Sequence, residues 1–97
     1  MKINIRMDIL DSLVDSDEGI DQIENYFKYT YYAIISKSKI LAEIEKLLAE
    51  KLIVPHYDED LDYDWYELTP KGQAVWDAFD WDTYLENIKH LCRPDDD

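Results

Sequence analysis

His56, Asp58, Asp60, Asp62 and Asp64 stand two residues apart along the chain. In a continuous strand, positions of the same parity share a face, and hard cations favour carboxylate oxygens arranged in this way. An EF-hand loop would need Gly where Tyr63 stands and Glu where Thr69 stands, so the segment reads as a solvated acidic turn. His90 and Cys92 are near neighbours, but a zinc site needs further ligands at suitable spacing, and none is evident. Arg93 is the one basic neighbour that could lower the Cys92 pKa, and no local motif supports a nucleophile there. Gly19 and Gly72 are the only glycines, too few for a phosphate-cradling loop. No catalytic residue, cofactor or metal is expected, and the chain reads as non-enzymatic.

The elements that would position these groups follow from periodicity. Ile3, Met7, Leu10 and Val14 recur at helical spacing, with Ile9 and Leu13 widening the stripe. A first helix is expected near residues 3–15, broken at Asp17-Glu18-Gly19. Ile20, Ile23 and Phe27 mark a second helix starting near Gly19, with acids in its first turns that suit the helix dipole. Tyr26 to Ile35 mixes helix and strand preferences, and both a continued helix and a turn fit it. Ser36 or Ser38 is a good N-cap for a third helix, whose apolar face is Ile40, Leu41, Ile44, Leu47, Leu48 and Leu52. Leu52–Tyr57 and Trp65–Leu68 read as two strands joined by the acidic tip. Thr69 followed by Pro70 is a helix start, with Val75, Trp76 and Phe79 on its apolar side. A bend at Asp80–Asp82 precedes a short last helix carrying Tyr84, Leu85, Ile88 and Leu91.

At 97 residues the chain is expected to form one domain over residues 1–93. Residues 94–97 read as a flexible acidic tail, with fraying expected from Arg93 onward. No run of about 18 apolar residues occurs, which excludes a helical membrane span. Met1–Asp8 lacks the apolar stretch of a secretory signal, and Cys92 is the single cysteine. A soluble, cytoplasmic protein is expected.

Charge is the unusual term. Twenty-three acids face ten bases, a net charge of -13, and such a field repels phosphate backbones. Its distribution is uneven. Residues 8–24 carry acids and no base, and residues 52–86 have Lys71 as their single base. Lys28, Lys37, Lys39, Lys46 and Lys51 fall between, around the third helix.

The order helix, helix, Ser-capped helix over Ser36–Val54, hairpin, then Tyr66-Glu67-Leu68-Thr69-Pro70-Lys71-Gly72 resembles winged helix-turn-helix regulators of the MarR and PadR kind. The resemblance spans residues 5–80 and implies a mainly α fold with a small β-hairpin: three helices, a wing, and one or more C-terminal helices. It further implies a third helix that enters the DNA major groove, a wing that touches the backbone, and terminal helices that dimerise. Carried over, the groove-facing positions are Ser36, Lys37, Ser38, Lys39, Ala42, Glu43 and Lys46. The chain departs from the pattern in three places. Lys51 stands where the helix end usually has Gly, so a different helix end is expected. The wing carries Asp58, Glu59, Asp60, Asp62 and Asp64 in place of bases. No arginine lies between Arg6 and Arg93, so the commonest guanine-reading side chain is missing from the third helix.

Two functions follow from this contrast. The charge favours a module acting through protein contacts as an adaptor, an inhibitor or a nucleic-acid mimic, with a basic protein as partner. Its contact residues would be Asp58, Glu59, Asp60, Asp62, Asp64 and Trp65. Eight tyrosines, three tryptophans and two phenylalanines support this, and strand parity sends Trp65 and Tyr66 to opposite faces, leaving one exposed. The alternative is a homodimeric DNA-binding transcriptional regulator, with Lys37, Lys39 and Lys46 on phosphates and Ser36 or Ser38 on base edges. Trp76, Phe79, Trp81, Tyr84 and Leu85 could pack on the chain's own core or across a two-fold axis.

Overall fold

The computed structural model describes residues 2–60 and 63–94. Its elements are α1 (Ile5–Leu13), α2 (Ile20–Thr30), α3 (Lys37–Ala49), β1 (Ile53–Asp58), β2 (Tyr63–Leu68), α4 (Pro70–Ala78) and α5 (Trp81–Ile88), followed by a single 3-10 turn at Lys89–Leu91. No helix among the described residues is long and apolar enough to cross a membrane.

Each helix start has a chemical cause. Asn4 Oδ1 accepts from Met7 N at 3.1 Å, and Gln22 Oε1 accepts from Gly19 N at 3.1 Å. Ser36, rather than Ser38, caps α3 by accepting from Lys39 N at 3.3 Å. The open segment 26–35 continues as helix to Thr30; Tyr31 then forms an isolated bridge with Cys92. The bend expected at Asp80–Asp82 is a helix cap, Asp80 Oδ1 accepting from Thr83 N at 3.1 Å.

The end of α3 corrects one expectation. Lys51 adopts φ 61°, the left-handed conformation that glycine favours. Lys51 N donates to Leu48 O at 3.1 Å and Leu52 N to Leu47 O at 3.0 Å, which together make a Schellman end. The helix therefore closes in the usual way with a lysine in the strained position. What holds it there is the following motif. The Thr69 hydroxyl lies 2.7 Å from Lys51 O and 3.0 Å from Leu52 O, and accepts from Gly72 N at 3.0 Å. Lys71 Nζ donates to Glu50 O at 3.1 Å. Thr69 and Lys71 thus tie the start of α4 to the carbonyls of Glu50, Lys51 and Leu52 left over after α3.

The strands pair antiparallel from Ile53↔Leu68 to Asp58↔Tyr63. Glu18 bridges Tyr66 on the other edge of β2, with N···O distances of 3.2 and 2.8 Å, so the loop before α2 acts as a minimal third strand. The core is Ile9, Leu10 and Leu13 of α1, Ile23 and Phe27 of α2, Ile40, Ile44 and Leu47 of α3, then Leu52, Ile53, Tyr84 and Ile88. Leu41, expected on the inner face of α3, is exposed. Arg93 is anchored where fraying was expected: its N donates to Thr30 O at 2.7 Å and its Nε reaches Lys28 O and Tyr31 O. Residues 95–97 lie outside the described residues.

One core feature had no counterpart in the sequence reading. Asp8 is 1% exposed, and its carboxylate accepts from Tyr31 at 2.6 Å, Tyr84 at 2.8 Å and Tyr26 at 3.3 Å. The Tyr84 hydroxyl in turn accepts from Asn4 N at 2.7 Å. Burial raises the Asp8 pKa to about 6, outweighing the hydrogen bonds, with Asp11 adding repulsion. The available signal was positional: Asp8 interrupts the apolar run Met7, Ile9, Leu10 on one helix.

Candidate nucleic-acid interface

Along α3 the two faces separate cleanly. Ile40, Ile44 and Leu47 are buried, which turns Lys37, Ser38, Lys39, Ala42, Glu45, Lys46 and Ala49 outward into solvent. Ser36 is exposed at the N-terminal end, while Glu43 is only half-exposed. Lys37 Nζ lies 3.4 Å from Asp21, and Lys46 Nζ lies 3.4 Å from Glu43. Lys39 has no ion-pair partner among the described residues. Exposed pairs of this kind are worth at most about 1 kcal/mol. Arg6 pairs with Glu50 and holds its carboxyl below the usual carboxylate range, which keeps Glu50 ionised but neutralised at the C-terminal end of α3.

The hairpin presents a different surface. Glu59 and Asp60 are exposed in the turn after β1. Asp62 and the side chains of Asp58 and Asp64 lie outside the described residues. The strand ends at Asp58, so the alternation of His56 with Asp58 and Asp60 does not persist as one strand face. Trp65 and Tyr66 are both half-buried, so the strand parity that would expose one of them is offset by packing on both sides.

At the C-terminal end, four of the five aromatic and aliphatic candidates for a two-fold contact pack on one another. Phe79 and Trp81 ring centroids are 4.7 Å apart, Phe79 and Tyr84 5.4 Å, and Trp76 and Trp81 5.8 Å. Trp76 Nε1 donates to Asp11 at 3.0 Å and Trp81 Nε1 to Trp76 O at 3.0 Å. Tyr84 is 6% exposed and Leu85 48% exposed. Trp76, Phe79 and Trp81 are half-buried.

Among the described residues, His90 and Cys92 are not assembled into a reaction centre. Cys92 is half-buried, its Sγ donates to Ile88 O at 3.5 Å, and burial pushes the thiol pKa up. His90 is exposed in the 3-10 turn and gathers no metal-ligating group with Cys92 among the described residues. Sequence reasoning missed an exposed aromatic surface at the end of α2, where Tyr29, Tyr32 and Ile34 are 73, 56 and 96% exposed beside Lys28 and Arg93. The Arg93 guanidinium sits 5.2 Å from the Tyr32 ring centre.

No protein-family model matches the chain, and no curated protein matches it. Solved structures do. A PadR family transcription regulator from hypervirulent Clostridium difficile superposes with a TM-score of 0.72 at 16% identity, over 89% of this chain and 91% of that one. Bacillus subtilis PadR in complex with operator DNA gives a TM-score of 0.64 at 20% identity, over 90% of this chain and 60% of that one. A MarR family transcriptional regulator from Silicibacter pomeroyi gives 0.66 at 22% identity, over 89% of this chain and 55% of that one. The chain thus spans little more than half the length of the last two. Five α-helices and a two-stranded antiparallel hairpin among the described residues give this chain the α+β, MarR/PadR-like winged helix-turn-helix fold.

Proposed function

We propose that this chain is a non-enzymatic, cytoplasmic DNA-binding transcription regulator that works as a homodimer and reads the major groove with α3. The observation that carries the reading is the outward face of that helix. It presents Lys37, Lys39 and Lys46 with Ser36, Ser38 and Ala42 between them, all exposed. Lysines supply the phosphate contacts that dominate affinity, and short hydroxyl side chains reach base edges. Screening over about 8 Å at physiological salt lets this ridge act locally within a molecule of net negative charge. The fold shared with regulators, one of them solved on its operator, weighs toward this reading over the protein-contact one that charge alone favours. The acidic hairpin then contributes repulsion where a basic wing would contribute attraction. Affinity is consequently concentrated on α3 and falls steeply with salt. Leu85 and the neighbouring aromatic edges form the two-fold contact. Selection of bound duplexes from fragmented genomic DNA at about 50 mM salt tests this: a recurring, two-fold-related sequence is expected, and failure to retain any duplex contradicts it.

A second reading, contact with a basic protein through Glu59, Asp60 and the other tip carboxylates, is supported by the exposed acidic turn and the Tyr29–Tyr32 surface. It requires that neutralising the tip abolish capture of the partner, and unchanged capture excludes it.

A further inference from the structure

We infer that Asp17, His56 and Glu67 form a binding site for a divalent first-row transition cation of the zinc type. One ligand atom from each lies within 4.8 Å of the other two, and all three side chains are exposed. The backbone explains the convergence. Glu18 is bridged to Tyr66, so antiparallel pairing places Asp17 beside Glu67. His56 pairs with Trp65, two residues from Glu67, and same-face diagonal neighbours in a sheet lie within reach of long side chains. Three separate segments thus supply the three donors to one face: the loop before α2, β1 and β2.

Two further facts favour a cation. Like charges set side by side across strands are destabilising, yet neither the Asp17 nor the Glu67 carboxylate has an ion-pair or hydrogen-bond partner among the described residues. The imidazole of His56 is likewise without one. The donor set of one nitrogen and two carboxylates selects the ion: imidazole suits zinc and its neighbours, while magnesium and calcium prefer oxygen alone. Zinc bonds of about 2.0–2.2 Å place ligand atoms about 3–3.5 Å apart. Exposed side chains close that distance by small rotations, and water or an exogenous ligand completes the coordination. Occupancy would tie the loop before α2 to both strands and cancel two negative charges at the root of the hairpin. This site is independent of the DNA-binding reading, and its test involves no DNA.

The test uses the untagged full chain, freed of metal by chelator, and zinc chloride titrated against a chromophoric competitor. One equivalent is expected to bind, with water or an exogenous ligand completing the coordination. His56→Asn and Asp17→Asn should each weaken binding at least tenfold, whereas the double variant His90→Asn with Cys92→Ser should leave it unchanged. Zinc should also shift the His56 ring nitrogen resonances. Wild-type affinity equal to that of His56→Asn overturns the site, as does loss confined to the His90 and Cys92 variant. Calcium binding as tightly as zinc overturns it too.

Discussion

The hydroxyl of Tyr31 donates to Asp8 at 2.6 Å inside the core, joining the C-terminal end of α2 to the middle of α1. Tyr84 of α5 donates to the same oxygen at 2.8 Å. One carboxylate therefore fastens three helices, and burial makes its charge costly: the Asp8 pKa is raised from 3.8 to about 6. An acid whose folded pKa exceeds its unfolded value binds more protons when folded. Its contribution to stability therefore falls as pH rises from about 4 to about 6, and is level above that. The difference in unfolding free energy between wild type and Asp8→Asn should decline by on the order of 2–3 kcal/mol over that window. Urea midpoints at pH 4, 5, 6 and 7 measure it, and a constant difference contradicts the assignment.

Lys51 holds φ 61° at the end of α3. A left-handed conformation costs a non-glycine residue about 1 kcal/mol or more. Lys51→Gly should therefore stabilise the protein by about 1 kcal/mol, less the added entropy of an unfolded glycine. A lower denaturation midpoint in the variant would mean that the Lys51 side chain contributes more than its backbone costs.

Gly72 has no such freedom to change. A Cβ there would lie 2.1 Å from the Leu52 carbonyl oxygen and 2.8 Å from Leu68 Cδ1, and the first of these is backbone. Gly72→Ala should destabilise by about 3 kcal/mol, at the upper end of overpacking costs. It should also loosen the junction of α3 and α4, read as faster amide exchange at Leu52. Wild-type stability would show that the two segments can separate without loss.

Ser36→Ala should cost about 1 kcal/mol by removing the cap on Lys39 N, and Ser38→Ala should cost almost nothing in stability. Thermal unfolding of the two variants separates them. Equal losses would mean that the cap is shared.

Much of this architecture was legible because local chemistry and tertiary role agree. Ser36, Thr69 with Pro70, and the spacing of Ile40, Ile44 and Leu47 each specify an element without help from the rest of the chain. Where they disagree, the sequence misleads. Lys51 reads as a poor helix end, because the bonds from Thr69 and Lys71 that hold it arrive from another segment. Asp8 reads as one more surface acid, since three tyrosines from two distant helices are needed to make it a core residue. Tyr31 was ambiguous for the same reason: its backbone is fixed by Cys92, which is far along the chain. The meeting of Asp17 with Glu67 likewise depends on a single bridge between Glu18 and Tyr66. The lysines of α3 were visible from the start, but not their relation to the acids around them, which depends on rotamers and the placing of α2.

The salt dependence of duplex binding by the full chain, measured by fluorescence anisotropy between about 50 and 200 mM salt, tests the groove-reading role of α3 most directly. Each lost phosphate contact reduces the log–log slope by about 0.9, so replacing Lys37, Lys39 and Lys46 together by alanine should flatten it by about 2 to 3. An unchanged slope, or a wild-type chain that binds no duplex even at the lowest salt, would contradict a groove-reading role for α3.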